Sequence, residues 1–180
     1  HTAYRRQRQM CIRDSLYIEI IRNTPFLVQI FFIYFALPSL GIRFSPNTAA
    51  LVALVVNVGA YATEIIRAGI ESIQKGQVEA GVALGLSRPQ IFRYIIIKPA
   101  LRTVYPALTS QFIYLMLNTS VVSVISATDL AAAGNDIQSQ TFTAFEVYLV
   151  ITGIYLLLSL AFSGLFSVVQ RLAFNYPLSR

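Results

Sequence analysis

The sequence predicts an all-α, polytopic transmembrane helical bundle with a helix pair on its cytoplasmic face. Three observations carry the prediction. The 180-residue chain is 56% hydrophobic and only 12% charged, with a mean hydropathy of +0.62, whereas soluble domains hold about 25% charged residues. Apolar runs recur along the chain near the length needed to cross about 30 Å of hydrocarbon, and the length allows about four or five such spans. Finally, the basic residues fall on one side of those runs. With residues 71–102 placed in the cytoplasm, Arg22, Arg67, Lys75, Arg88, Arg93, Lys98, Arg102, Arg171 and Arg180 share that side and only Arg43 lies outside, the bias expected of a multi-pass inner-membrane protein. The C-terminus is then cytoplasmic. A lone Cys excludes a disulfide framework, and one His with one Cys does not make a conventional zinc site.

Residues 1–15 (HTAYRRQRQMCIRDS) stand apart. They hold four of the fourteen basic residues, the only Cys and the only His, and the composition changes abruptly at Leu16. The string MCIRDS resembles the translation of a transposase adapter used in DNA library preparation. Residues 1–15 are therefore read as a sequencing or assembly artefact, and residues 16–180 as a single, N-terminally truncated membrane domain. Without the first fifteen residues, ten basic residues stand against seven acidic ones, a formal charge of +3.

The elements follow in order. Leu16–Arg22 reads as the end of an amphipathic segment. Residues 26–40, FLVQIFFIYFALPSL, are uncharged and form the first visible span, with Pro25 at its first turn. Ser45-Pro46 supplies an N-cap and N1 proline for a second span over residues 47–70. A third span is expected from Pro106 to about Ala127, after a break at Pro99, and a fourth from Glu146 to about Val169. Between these two, residues 127–146 read as an outward-facing polar loop with no basic residue.

The segment VEAGVALGLSRPQIFRYIIIKPALR (Val78–Arg102) interrupts this apolar pattern. Residues 77–84 suit a short helix ended by Gly85 at C′, where a positive φ is wanted. Ser87 reads as the N-cap of a second helix and Gln90 completes a capping box, with Leu86 and Ile91 placed for a hydrophobic staple. Pro89 falls in the first turn. Loops of this length are seldom so fully capped, so the segment reads as a docking element for a cytosolic partner.

At these residues the sequence resembles the membrane permease subunit of bacterial ABC importers. That family carries a cytoplasmic Glu-Ala-Ala signature with Gly and Ile at fixed spacing; Glu79, Ala80, Gly85 and Ile95 match it. Gly81 replaces the second Ala, and the closing Leu-Pro appears as Ile97-Lys98-Pro99. Arg22-Asn23-Thr24-Pro25-Phe26-Leu27-Val28-Gln29 is similar to a hallmark of the polar amino acid branch. So are Ala60-Tyr61 with Glu64-Ile65-Ile66-Arg67 and Gly69-Ile70. Gln111-Phe112-Ile113, Thr119-Ser120, Val124-Ile125 and Phe145-Glu146 fit the same branch. A Lys-Asp usual before Thr-Ser appears here as Leu117-Asn118. The resemblance implies five spans in the full-length family, of which four are visible.

It also implies a function: a permease subunit in the bacterial cytoplasmic membrane, forming the path for a polar amino acid. The implied partners are a cytosolic ABC ATPase, a periplasmic or lipid-anchored solute-binding protein and a second permease subunit, identical or related; no nucleic acid is implied. The chain itself would bind no cofactor, with ATP and Mg on the partner ATPase. It lacks a phosphate-binding loop, since Gly76 to Gly85 has no Gly-Lys-Ser/Thr end. The ATPase-coupling residues would be Glu79, Ala80, Gly81 and Gly85, with Arg88 and Arg93 able to pair with acids. Polar residues within apolar spans are the pathway candidates: Gln29, Asn57, Tyr61, Glu64, Gln111, Asn118 and Thr119. Ser159, Ser163 and Ser167 form a row suited to helix packing. Three other functions compete: a permease for another small solute such as an osmolyte, an anchor that recruits an ATPase without transport, and an intramembrane enzyme. The last lacks a His outside residues 1–15 and a paired-Asp arrangement within a span.

Overall fold

The computed structural model describes residues 16–173, so the reading of residues 1–15 lies outside the described residues. Among those described, the ordered elements are all helical. They are α1 (Leu16–Arg22), α2 (Phe26–Leu40), α3 (Pro46–Glu71), α4 (Lys75–Ala83), α5 (Arg88–Ile125), α6 (Leu130–Thr141) and α7 (Ala144–Ala173). Helices α3, α5 and α7 are each long and apolar enough to cross a membrane; α1 and α2 meet that test only jointly, bent by 108°. The chain is thus a multi-pass helical membrane protein. The most apolar stretch of α7 buries nothing within the chain, and Leu149, Leu157, Leu160, Leu165 and Leu172 are all exposed. Such a surface is stable only against lipid or other apolar helices.

Three expectations are refined or corrected. The first visible span, read from sequence as too short over residues 26–40 and starting a little earlier, does draw on the residues before it, but across a sharp bend: α2 has fifteen residues, about 22 Å at 1.5 Å each, and shares the apolar length with α1. The third span does not begin at Pro106, because α5 runs unbroken from Arg88 through Pro99 and Pro106. The polar loop is largely α6, whose N-cap Asp129 accepts a hydrogen bond from the Ala132 N–H at 2.8 Å. By contrast α3, α4 and α7 lie within a few residues of their expected bounds.

The prolines are tolerated for a physical reason. A proline removes one N–H from the helix ladder and its ring crowds the carbonyl four residues back. Widened π-turns occupy Phe32–Ala36, just before Pro38, and Ile91–Ile96, just before Pro99. In each the chain bonds five residues back, Leu37 N–H to the Phe32 carbonyl and Ile97 N–H to the Phe92 carbonyl. The wider turn makes room for the ring and re-phases the ladder. Hydroxyls take up carbonyls nearby: Thr103 donates to the Pro99 carbonyl at 3.1 Å, and Thr109 and Ser110 to that of Pro106 at 2.8 and 3.0 Å.

The described chain divides into two compact units. One holds the residues up to Tyr61 with Tyr114–Ser159; the other holds Ala62–Ile113 and the residues from Leu160 on. In the first, Ile30, Ala49, Ala50, Ala53, Val122, Ile125 and Ala127 form the buried core, with Phe26, Phe31 and Tyr34 packed on it. The alanines of α3 let backbones approach closely, the usual means of packing helices within lipid. The bend between α1 and α2 is fixed in the same unit by Gln29. Its Nε2 lies 2.7 Å from the Ile21 carbonyl, 3.0 Å from the Thr24 carbonyl and 2.8 Å from the Thr24 hydroxyl. Its Oε1 accepts from Asn57 Nδ2 at 3.0 Å, and Tyr17 donates to the Val56 carbonyl at 2.6 Å. In the second unit, Phe112, Phe162 and Phe166 pack ring against ring, and Tyr105 donates to the Phe166 carbonyl at 3.0 Å.

Because Gln29 and Asn57 are both buried, removing Asn57 leaves Gln29 Oε1 without this donor and removing Gln29 leaves Asn57 Nδ2 without this acceptor, at a cost of about 1–3 kcal/mol. Gln29→Leu and Asn57→Leu should each lower the denaturant midpoint of the purified protein in micelles. The double variant should lose less than the sum of the two; strict additivity would show that the pair is not coupled.

Candidate functional site

The coupling candidates all lie in the second unit. Helix α4 ends in a double-bonded reversal. The Gly85 N–H reaches the Val82 carbonyl at 2.9 Å and the Leu86 N–H the Gly81 carbonyl at 3.1 Å, while Gly85 takes φ +74°. An L-side chain there is strained, which is why glycine closes this type of cap. Two residues later Ser87 starts α5. Its N–H and its hydroxyl both donate to Gln90 Oε1 at 2.8 Å, completing the capping box with Pro89 in the first turn. The predicted punctuation therefore stands as a built turn, with its polar backbone groups occupied by local partners.

The turn presents a defined outer surface. Glu79, Ala80, Gly85, Arg88 and Arg93 are exposed, as are the apolar side chains of Val82, Leu84 and Phe92. Gly81 is different: it is buried, and a Cβ there would stand 2.5 Å from Ile95 Cδ1 and 3.2 Å from Ile91 Cγ1. Its small size serves the seat of α4 on the π-turn of α5, not an outward surface. This ties Gly81 to Ile95, two signature positions fourteen residues apart in sequence.

The pathway candidates are dispersed. Gln29 and Asn57 are brought together, but as the buried stitch of the α1–α2 bend. Tyr61 lies beneath the Arg22 guanidinium, 5.6 Å from ring centroid to Cζ. Asn118 donates to the Tyr114 carbonyl of its own helix at 3.3 Å, and Thr119 to that of Met116 at 2.7 Å. Both head the tightened 3₁₀ end of α5, Thr119–Ile125. These five residues belong to the first unit; Glu64 and Gln111 belong to the second. The Nε2 of Gln111 is buried with no hydrogen-bond partner among the described residues. Ser159 and Ser167 turn their hydroxyls onto carbonyls of their own helix, Leu156 at 2.9 Å and Ser163 at 2.8 Å.

Sequence reading missed Asp129. It is half-buried: Oδ1 caps α6, Oδ2 lies 3.5 Å from the Tyr155 hydroxyl, and that hydroxyl also meets the Thr119 side chain. Helix α6 runs antiparallel to α7, with Asp129 facing Tyr155, Gly134 packed against Ile151 and Asn135 accepting from the Tyr148 hydroxyl at 2.9 Å. Tyr155 is nine residues past Glu146, the last charge before the apolar stretch, or about 13 Å along the helix at 1.5 Å per residue. Asp129 thus sits beside the apolar stretch of α7, about 13 Å along it from Glu146. The available signal was Asp followed by Leu-Ala-Ala-Ala, an N-cap before strong helix formers.

Comparison with known proteins gives a consistent picture. The family model described as the inner membrane component of binding-protein-dependent transport systems matches residues 15–174. The glutamine transport system permease protein GlnP of Escherichia coli (strain K12) is 42% identical over 158 residues, covering 87% of this chain and 72% of that protein. The probable glutamine ABC transporter permease protein GlnM of Bacillus subtilis (strain 168) is 37% identical over 163 residues, 90% of this chain and 76% of that one. Among solved structures, an amino acid ABC transporter crystallised with histidines matches with a TM-score of 0.82 and 43% identity, over 87% of this chain and 73% of that one. An inward-facing MetNI methionine ABC transporter shares the fold, at a TM-score of 0.72 and 22% identity.

The geometry of the turn sets an expected order of substitutions. Gly85→Ala should destabilise by about 1 kcal/mol, since only the left-handed φ is penalised. Gly81→Val should cost more, because a branched side chain drives α4 off Ile91 and Ile95. Hydrogen exchange of the α4 amides measures both; equal protection in wild type and Gly81→Val would contradict the assigned packing.

Proposed function

The chain belongs to the family of inner membrane components of binding-protein-dependent transport systems, and from that premise we propose that it is the permease subunit of an ATP-binding-cassette importer of a polar amino acid. It hydrolyses nothing itself. A cytosolic ATPase, with its own ATP and Mg, supplies the energy; a solute-binding protein delivers the substrate; a second permease chain, identical or related, completes the path. The glutamine permeases among its relatives support glutamine or a close analogue as the substrate class.

The observation that carries the reading is the α4–α5 turn. A short helix is held by Gly81 on a widened turn of a long membrane-crossing helix, and its free side offers Glu79, Ala80, Val82, Leu84 and Gly85 rimmed by Arg88 and Arg93. A rigid knob on the end of a long helix transmits displacement, the requirement for turning ATPase closure into alternating access. The excess of Lys and Arg around it supports a cytoplasmic location for this turn and for the C-terminus.

For the substrate, Asp129 is the group with suitable charge. An amino acid crossing hydrocarbon needs a partner for its ammonium. The Asp129 carboxylate, with the Tyr155 hydroxyl 3.5 Å from its Oδ2, offers an acceptor beside a membrane-crossing helix.

Two measurements test the reading. Co-expressed with the ATPase encoded beside it, the chain should co-purify with that ATPase, and Gly85→Asp or Glu79→Lys should abolish the association; survival of the complex in both variants would overturn the docking assignment. Uptake of radiolabelled glutamine should fall at least tenfold in Asp129→Asn, a loss of about 1.4 kcal/mol or more, with the complex intact. Unchanged uptake would remove Asp129 from the path.

A further inference from the structure

The geometry points to a phospholipid site in the groove between α6 and α7, selective for a lipid whose headgroup carries an ammonium. The groove encloses about 310 Å³. Its walls are Leu130, Ala133 and Ile137 on α6 and Val147, Val150 and Ile154 on α7, with Glu146 at one end. The accessible lining is almost wholly apolar, so it suits a hydrocarbon chain and offers water no hydrogen-bond partners.

Depth identifies the occupant. The 23 residues Val147–Val169 are uncharged, about 34 Å of helix, which matches a hydrocarbon core of about 30 Å. Glu146 therefore marks the membrane boundary, and the groove occupies roughly the first 12 Å below it, the depth of acyl chains. The aromatic side chains beside Glu146 agree. Phe142 and Phe145 are 86% and 76% exposed, and Phe142 holds φ +57°, with large rings at the level where aromatic residues partition between headgroups and chains. A chain lying along Ala133, Ile137, Val150 and Ile154 would bring its headgroup to Glu146.

Charge selects the headgroup. No Lys, Arg or His lies between Thr103 and Gln170, and Arg22 and Arg43 are the only basic side chains in the described part of this unit. Glu146, in the first turn of α7 where the helix dipole favours an anion, is exposed. A carboxylate at the groove mouth attracts the ammonium of phosphatidylethanolamine and repels phosphatidylglycerol, which brings only negative charge. The site is separate from the coupling turn; its inner end, at Leu130 and Ile154, borders the Asp129–Tyr155 contact, and it does not depend on the transport reading.

The chain contains no Trp, so one introduced indole reports alone. Ile137→Trp and, separately, Val150→Trp place the reporter in the groove; Leu157→Trp, on an exposed part of α7 outside it, is the control. The full chain is reconstituted in vesicles of equal parts phosphatidylethanolamine and phosphatidylglycerol in which only one of the two lipids is brominated, and quenching by the two brominated lipids is compared. The groove reporters should be quenched at least threefold more effectively by the ethanolamine lipid, and the control equally by both. Adding Glu146→Gln should bring the groove ratio to about one while quenching persists. Equal quenching of both groove reporters with Glu146 present would overturn the headgroup selectivity. Absence of quenching would overturn lipid occupancy and show that water or protein fills the groove.

Discussion

Hydrocarbon offers no hydrogen-bond partner, and most of this structure follows from that single condition. A helix is the one local arrangement that satisfies its own backbone, so every departure from α-helix within the apolar depth needs a compensating group. The chain departs repeatedly, and compensation is at hand where the contacts are resolved. At the α1–α2 bend, the Gln29 amide and the Thr24 hydroxyl take up carbonyls of Ile20, Ile21 and Thr24. At the start of α6, the Asp129 carboxylate caps an orphan N–H. Side chains that looked like a polar path in sequence are in part the repair of a broken backbone.

The same residue types therefore differ in how fully their polar atoms are engaged by local partners. Gln29 is polar, sits in an apolar run and occupies a hallmark stretch, yet its donors and its acceptor are engaged within the first unit. Asp129 retains a carboxylate oxygen whose nearest polar contact is a 3.5 Å hydroxyl. Sequence alone marks Gln29 as a polar group within an apolar run and places Asp129 in an outward-facing loop. The number of local partners separates them, and that number exists only after folding.

Much was legible because it depends on local chemistry. The Gly85 reversal, the Ser87–Gln90 box and the start of α3 at Pro46 follow from conformational preferences of single residues, and they stand as expected. The α6 helix was illegible because its length and polarity resemble a loop, and because its apolar residues meet α7 rather than repeat along a full span. The continuity of α5 was hidden for another reason. Pro99 and Pro106 are breakers in water, but lipid makes breaking costly, so the helix continues through both, with a widened turn before Pro99. Gly81 was recognised as a signature position, but its burial against Ile91 and Ile95 required knowing that α4 folds back on α5.

The π-turn at Ile91–Ile96 has a geometric consequence for the long helix that contains it. Relative to an α-helix it inserts one residue, about 100° of rotation. Residues before Ile91 and after Ile96 therefore do not share one helical wheel. The azimuth of the capped turn at Arg88–Gln90 and that of the membrane-facing stripe beyond Ile97 are set independently, by the presence of a single extra residue. Deleting one residue there would leave every side chain downstream with its identity and its immediate sequence neighbours, yet turn the whole face away from its present direction. In this chain, residue count at that turn is as much a determinant of orientation as residue type.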